Sequence, residues 1–389
     1  MKMNYKAPLV LGLLSLALVG CANKAIKVEE QKPNPLPKIA VSQSLVSVAS
    51  YSVSSSQEVD PLRLQLGLAD GKVFTADPKG EVTAYQGKQR IWQTKVSKLG
   101  ISAGAIAGEG VVIVANKKGQ LFALDQATGE RKWQSQLSSA VLAPSLIQSG
   151  RVITLANDGT VFAHDVATGQ QVWTYNLPKV DFSMRGTAAP VAVDPRNVLV
   201  AWANSSIYVI DTVTGIPQLQ RRVSINDGRS DIQRLNDIDS EPVVAGRYLI
   251  STSYQGQVTA LDLVSQQVVW SENASSLRSP VIFDNKVFVA KSTGQLTAYN
   301  ITTGQQIWQN EQLLNRRLSN PVMLNNQLVV GDLEGVLHLV DPNTGDLVGR
   351  AKTSGEVRSL RSIDQQLYVS TQKGTYSIWQ NRYFFNYLW

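Results

Sequence analysis

Asp237 and Asp239 stand two residues apart, with Arg234 before them and Glu241 after. Carboxylates so spaced can pair with a partner's cations, brace a nearby arginine, or supply the first oxygens of a Ca²⁺ site. Further oxygen ligands for such an ion are not evident in the stretch. Earlier in the chain, Asp181-Phe182-Ser183-Met184-Arg185-Gly186 sets two large apolar side chains beside an arginine. Aromatic, Met and Arg residues near carboxylates have the composition of a protein–protein hot spot. The alternative is that Phe182, Met184, Leu235 and Ile238 plug the mouth of a channel in the scaffold; composition favours the interface. Elsewhere the reactive residues are sparse. Two His and one Cys leave little from which to build a metal site or a disulfide. His164 and His338 each sit singly in an apolar run, where a satisfied strand imidazole is the simpler reading. No nucleophile elbow, Walker loop or His-Glu-x-x-His occurs. The expectation is a non-enzymatic chain with no cofactor and no metal.

The elements that must position these residues are written as a repeat. Gly119 precedes Trp133 by fourteen residues, as Gly159 precedes Trp173, Gly256 precedes Trp270 and Gly294 precedes Trp308. The text between reads LFALDQATGERKW, VFAHDVATGQQVW, VTALDLVSQQVVW and LTAYNITTGQQIW. Self-similarity at about forty residues is the mark of a β-propeller with one four-stranded blade per repeat. Aligning on the turn glycine gives Gly80, Gly119, Gly159, Ser205, Gly256, Gly294, Gly335 and Gly374, hence eight blades. Each glycine should supply positive φ between the second and third strands. Each Asp should accept from backbone N–H groups of the Thr-Gly turn. Each Trp should pack as an apolar plate between neighbouring blades. The fold class expected is all-β: an eight-bladed propeller of antiparallel blades over residues 46–380, followed by an aromatic tail at 381–389. The run Leu45 to Ser55 alternates like a strand and should close the ring by pairing with the last repeat.

The N-terminus reads as an address. Lys2 and Lys6 precede an apolar run from Leu9 to Val19, too short to span a bilayer comfortably. It ends Leu18-Val19-Gly20-Cys21, which resembles a bacterial lipobox, and the chain's one Cys falls at the lipidated position. Residues 1–20 are then a signal peptide, and Ala22 in place of Asp points to the outer membrane, facing the periplasm. Residues 21–45 carry Pro33, Pro35 and Pro37 and read as a lipidated, extended tether with no core of its own. Its roughly 24 residues reach no further than about 80 Å. Loss of Lys2 and Lys6 would leave +5 of the net +7, unclustered, so nucleic acid is not an expected partner.

Function in a repeat protein sits where the repeat is broken. Trp173 to Pro190 spans seventeen residues and Leu219 to Pro242 twenty-three, against ten to thirteen in the other copies measured. The two long connections are consecutive and should emerge side by side on one face.

The Asp-x-x-Thr-Gly-x-x-x-Trp blade resembles the quinoprotein alcohol dehydrogenases, which implies pyrroloquinoline quinone and Ca²⁺ in the channel of an eight-bladed ring. The vicinal disulfide that covers the cofactor in that family has no counterpart here, since a second Cys is lacking. A quinoprotein-like dehydrogenase is therefore the alternative reading, and a periplasmic chaperone or sugar-binding propeller a third. The lipobox, the Pro-rich tether, the blades, the Ser-Met-Arg-Gly loop and the Arg-Leu-Asn-Asp-Ile-Asp-Ser-Glu-Pro loop together resemble the BamB family of outer-membrane lipoproteins. That resemblance covers essentially the whole chain except the C-terminal tail. It implies a scaffold, monomeric within the β-barrel assembly complex, that contacts a POTRA domain of BamA and allows unfolded outer-membrane proteins as further partners. Carried over, the contacts are Phe182, Met184, Arg185, Asp237 and Asp239, with Arg234 in the same patch. Phe and Met stand where the family has two leucines, so the partner's pocket must differ in shape.

Overall fold

The structure, a computed structural model, describes residues 31–52, 63–179, 188–202, 205–223, 238, 240–253 and 256–382. Eight antiparallel sheets form a ring. Blades 1 to 7 run in chain order over 67–95, 103–136, 146–176, 191–222, 243–273, 281–310 and 322–352. Blade 8 combines Val357–Ile363, Gln366–Thr371 and Thr375–Asn381 with the N-terminal strand Leu45–Ser52 as its outermost member. Leu45 pairs with Asn381 and Ser52 with Thr375, so the expected closure is present, over a strand that ends at Ser52 in the described part. Blade 2 gains a fifth strand, Arg63–Leu64, parallel to Ala103–Gly108 on the inner side.

Burial follows from position in the ring. The second strand of blade 2, Val111–Ala115, is buried at every residue, because neighbouring blades cover both of its faces. The outer strand Arg131–Gln136 buries only Trp133. Continuous apolar text in the middle strands and alternating text outside are the two patterns these environments require.

The repeat's three marker residues do the work that their types suggest. The turn residues Gly80, Gly119, Gly159, Gly294, Gly335 and Gly374 all have positive φ, and Ser205 adopts φ 59 at the same place. Asp125 Oδ1 accepts from the N–H groups of Ala127 at 2.9 Å and Thr128 at 3.0 Å, and Gly129 N–H donates to the Asp125 carbonyl. Asp165, Asp211, Asp262, Asn300 and Asp341 repeat the pattern. Hydrogen bonds from the Thr214 N–H and from Arg196 hold the Asp211 carboxyl down to about 2.

Five tryptophans on outer strands each clasp the next blade. Trp133 Nε1–H donates to the Val166 carbonyl at 2.9 Å, and a Cβ on Gly169 would lie 2.5 Å from the Trp133 ring. The same pairing joins Trp92 to Gly129, Trp173 to Gly215, Trp270 to Gly304 and Trp308 to Gly345. Three seams depart from it. Leu219 takes the tryptophan position in blade 4, and the facing turn of blade 5 carries Gln266 at φ 58 where the others have glycine. Tyr51 closes blade 8 onto blade 1, its hydroxyl donating to the Gly87 carbonyl. Blade 7 has Gly349, and a Cβ there would lie 2.2 Å from the Gln43 carbonyl oxygen.

That last contact belongs to a segment expected to be free. Asn34 N–H donates to the Leu314 carbonyl, and Ser42 and Gln43 N–H donate to Val348. Leu36 and Ile39 pack on the apolar cluster of Phe288, Trp308, Leu313 and Leu347. From Asn34 onward the expected tether thus lies along blade 7, and Gly349 admits it where a tryptophan would block its path.

Candidate functional site

Cys21, Phe182, Met184, Arg185, Arg234, Asp237 and Asp239 all lie outside the described residues, as do 383–389 of the aromatic tail. What the structure places is the footing of the two long connections. In blade 3 the outer strand ends at Asn176, and Leu177 N–H donates to the Gly159 carbonyl. The Pro178 carbonyl then accepts from Trp202 Nε1–H at 2.9 Å. In blade 4 the outer strand ends at Arg222, and Val223 N–H donates to the Ser205 carbonyl. Both connections therefore start at the face that carries the turns between second and third strands, here the loop face. The Asp-x-x-Thr-Gly turns occupy the other face.

The chain resumes at Ala188 and at Ile238, which are buried, and Ala188, Val223 and Ile238 share one apolar cluster with Leu199, Leu219 and Leu249. Feet from both connections thus meet in a single core. Ser240 fixes the second foot further, its hydroxyl 2.7 Å from Thr252 Oγ1, while Glu241 N–H donates to Ser279 Oγ at 3.0 Å. Of the four apolar residues weighed as anchors or plugs, Ile238 is a core residue and 2% exposed. The other three lie in undescribed stretches.

Between the innermost strands lies a cavity of about 610 Å³, lined in part by Pro190, Ser240, Glu241, Arg278, Asn320 and Arg361. Arg278 Nε–H donates to the Leu318 carbonyl at 2.9 Å and Arg361 Nη1–H to the Leu66 carbonyl at 2.9 Å. Burial pulls the Arg361 guanidinium below its ordinary value, against the opposing field of Glu241. Sequence reasoning missed these arginines. Arg278 lies two residues before Pro280 at the start of an inner strand, an address that reads as surface until the ring turns it inward. The quinone cofactor of the resembling dehydrogenases needs a Ca²⁺ ligand set beside it. Among the described residues no three His, Cys, Asp or Glu side chains are grouped to hold an ion.

The histidines are structural in their surroundings. His164 is fully buried, with Nε2 3.0 Å from Ser135 Oγ and its ring stacked near Trp133 and Phe162. Burial lowers its pKa from 6.5 to about 4. Between those values the unfolded chain takes up a proton that the folded chain refuses, so stability rises with pH across this window. The contribution is complete above pH 6.5 and lost as pH falls toward 4, up to roughly 3 kcal/mol. His164→Gln should therefore show a smaller drop in urea midpoint between pH 7.5 and 4.5 than the native chain. Parallel drops would refute the assignment.

A ring of eight antiparallel blades clasped by tryptophan under a Thr-Gly turn defines the quinoprotein-like class of β-propellers. Solved members include a quinohemoprotein alcohol dehydrogenase from Pseudomonas putida HK5, at 12% identity and TM-score 0.66 over 86% of this chain and 76% of that one, a likeness of fold alone. BamB from Moraxella catarrhalis superimposes with TM-score 0.80 at 33% identity, covering 87% of this chain and all of that one. The family described as outer membrane protein assembly factor BamB matches residues 78–310 and 246–382. Outer membrane protein assembly factor BamB of Escherichia coli K12 is 34% identical over 97% of this chain and its own full length. That of Yersinia pestis is 31% identical over 96% of this chain and 98% of its own. The chain belongs to the BamB family.

Proposed function

We propose that the protein is a non-enzymatic outer-membrane-protein assembly factor, anchored through lipid on Cys21 and facing the periplasm. In this reading it docks on a POTRA domain of BamA through the two long connections, by way of Phe182, Met184, Arg185, Arg234, Asp237 and Asp239. The observation that carries the docking surface is the shared apolar cluster of Ala188, Val223 and Ile238, which roots both connections side by side on one face. The names of the relatives support the assembly role. Phe182 and Met184 serve as buried anchors, Arg185 makes a charge-assisted contact, and Arg234, Asp237 and Asp239 pair with partner charges or brace Arg185.

The test is Arg185→Ala. Loss of a central arginine in a desolvated interface weakens binding by about 2 kcal/mol or more, roughly thirtyfold. The variant should keep the native melting temperature and lose co-purification with BamA at ordinary salt. Full retention of the partner would remove Arg185 from the contact.

A further inference from the structure

The chain between Asn34 and Gln43 crosses blade 7 from one face of the ring to the other. At its start, Asn34 N–H donates to the Leu314 carbonyl at 3.0 Å, and the Asn34 carbonyl accepts from Arg316 Nη1–H at 2.7 Å. Leu314 and Arg316 belong to the connection from blade 6 to blade 7. Asn315 N–H in that connection donates to Thr293 beside the Gly294 turn, as Leu177 does to Gly159. Asn34 therefore lies on the loop face. At its end, Ser42 and Gln43 bond Val348, just past the Asp341-to-Gly345 turn, on the opposite face. Gln43 occupies the site that a Thr-Gly turn takes at the tryptophan seams, and Gly349 opposite it supplies the space. The strand Leu45–Ser52 then returns along blade 8 to the loop face.

We infer that residues 34–43 are a latch that moves the exit of the anchored N-terminus from the Thr-Gly-turn face to the loop face. Three features specify it. Gly349 has no Cβ where one would strike the Gln43 backbone. Arg316, 2% exposed, is aimed at the Asn34 carbonyl while held by Asp332 and Glu334. Leu36 and Ile39 fill a flank of the blade 6–7 cluster. A tether free up to Leu45 would leave the ring on the Thr-Gly-turn face with about 80 Å of reach. With 34–43 latched, only residues 22–33 separate Cys21 from the ring, a span of at most roughly 40 Å, and the chain departs on the same face as the footing of the two long connections. The membrane and the docking surface are then addressed by one face. This orientation rests on the lipid-anchor reading above. The latch itself does not.

Two measurements separate them. Hydrogen exchange on the full lipidated chain should find the amides of Asn34, Ser42 and Gln43 protected. In Gly349→Ala, Ser42 and Gln43 should exchange at least roughly tenfold faster while Val336–Val340 is unchanged. Ile39→Asp should do the same to Asn34 without touching a buried charge. Unprotected amides in the native chain would overturn the latch. For orientation, the acylated Cys21 leaves Ser292→Cys on the loop face and Asn343→Cys on the opposite face as single labelling sites. In proteoliposomes with headgroup-labelled lipid, energy transfer should be stronger from position 292 than from 343, and the difference should shrink when Gly349→Ala and Ile39→Asp are combined. Equal or reversed transfer overturns the orientation. Failure of the chain to float with vesicles overturns the anchor reading, and the exchange result still decides the latch.

Discussion

Trp133→Ala should lower the unfolding free energy by about 3–5 kcal/mol, the range for removing a large buried aromatic. Its ring lies under Gly169, its Nε1–H holds the Val166 carbonyl, and its face meets His164. Truncation leaves a cavity bounded by two blades that cannot collapse together, because each is fixed by its own strand pairing. The urea midpoint and the calorimetric melting temperature measure the loss. A change smaller than about 1 kcal/mol would mean that the strand ladders, and not the clasp, hold the seam.

The Leu219 seam provides the control. With no tryptophan beneath it, the turn of blade 5 tolerates Gln266 at φ 58, so glycine at the other turns answers to two demands at once. One is the left-handed backbone, which costs a non-glycine residue about 1 kcal/mol. The other is the ring 2.5 Å from any Cβ at Gly169. Gly169→Ala must therefore destabilise by both routes, whereas Gln266→Gly relieves the first and disturbs nothing beneath. Opposite signs for the two substitutions follow from one geometry.

The blades were legible because each marker has a single physical role at a fixed offset: glycine for a left-handed turn, aspartate for two N–H groups, tryptophan for the seam. Even the closing strand could be read, since a last repeat lacking its outer strand leaves an edge that some other segment must cover. The latch was not legible. Pro33, Pro35 and Pro37 spell an extended chain, and extension is equally compatible with a free tether and with one laid along a blade. Gly349 is its one signal, a glycine where the repeat calls for tryptophan, and that reads as decay until Gln43 is seen above it. For the docking surface, length irregularity located the two connections, and Ala188, Val223 and Ile238 root them together. The contacts of Arg185 and its neighbours lie beyond the described residues. The channel arginines escaped notice because a charge at the start of an inner strand looks solvent-facing in one dimension.

Asp332→Asn should prove nearly as damaging as loss of a clasp, at about 3–5 kcal/mol. Asp332 is fully buried, and its Oδ2 accepts from Arg316 Nε–H at 2.7 Å and from His338 Nε2–H at 3.0 Å. Its Oδ1 accepts from the N–H groups of Glu334 at 2.9 Å and Val336 at 2.8 Å. Burial alone would raise this carboxyl, yet hydrogen bonds from His338, the Val336 N–H and Arg316 outweigh it and hold the group at about 2. Its share of stability is accordingly complete above pH 4 and lost as pH falls toward 2. The amide keeps the shape and loses the charge, leaving Arg316 buried with only the half-exposed Glu334 to balance it. Removing the buried charge altogether is a different matter. Replacing Arg316 and His338 by apolar residues of similar volume, with Asp332→Asn retained so that its Oδ1 still accepts from the Glu334 and Val336 N–H groups, should recover part of the lost stability, since no unbalanced charge is then left buried. What that triple variant cannot recover is the donor to the Asn34 carbonyl. Restored melting temperature with unprotected Asn34 would assign the buried charges to holding the N-terminal segment. Restored protection as well would leave Leu36 and Ile39 as its sufficient anchor.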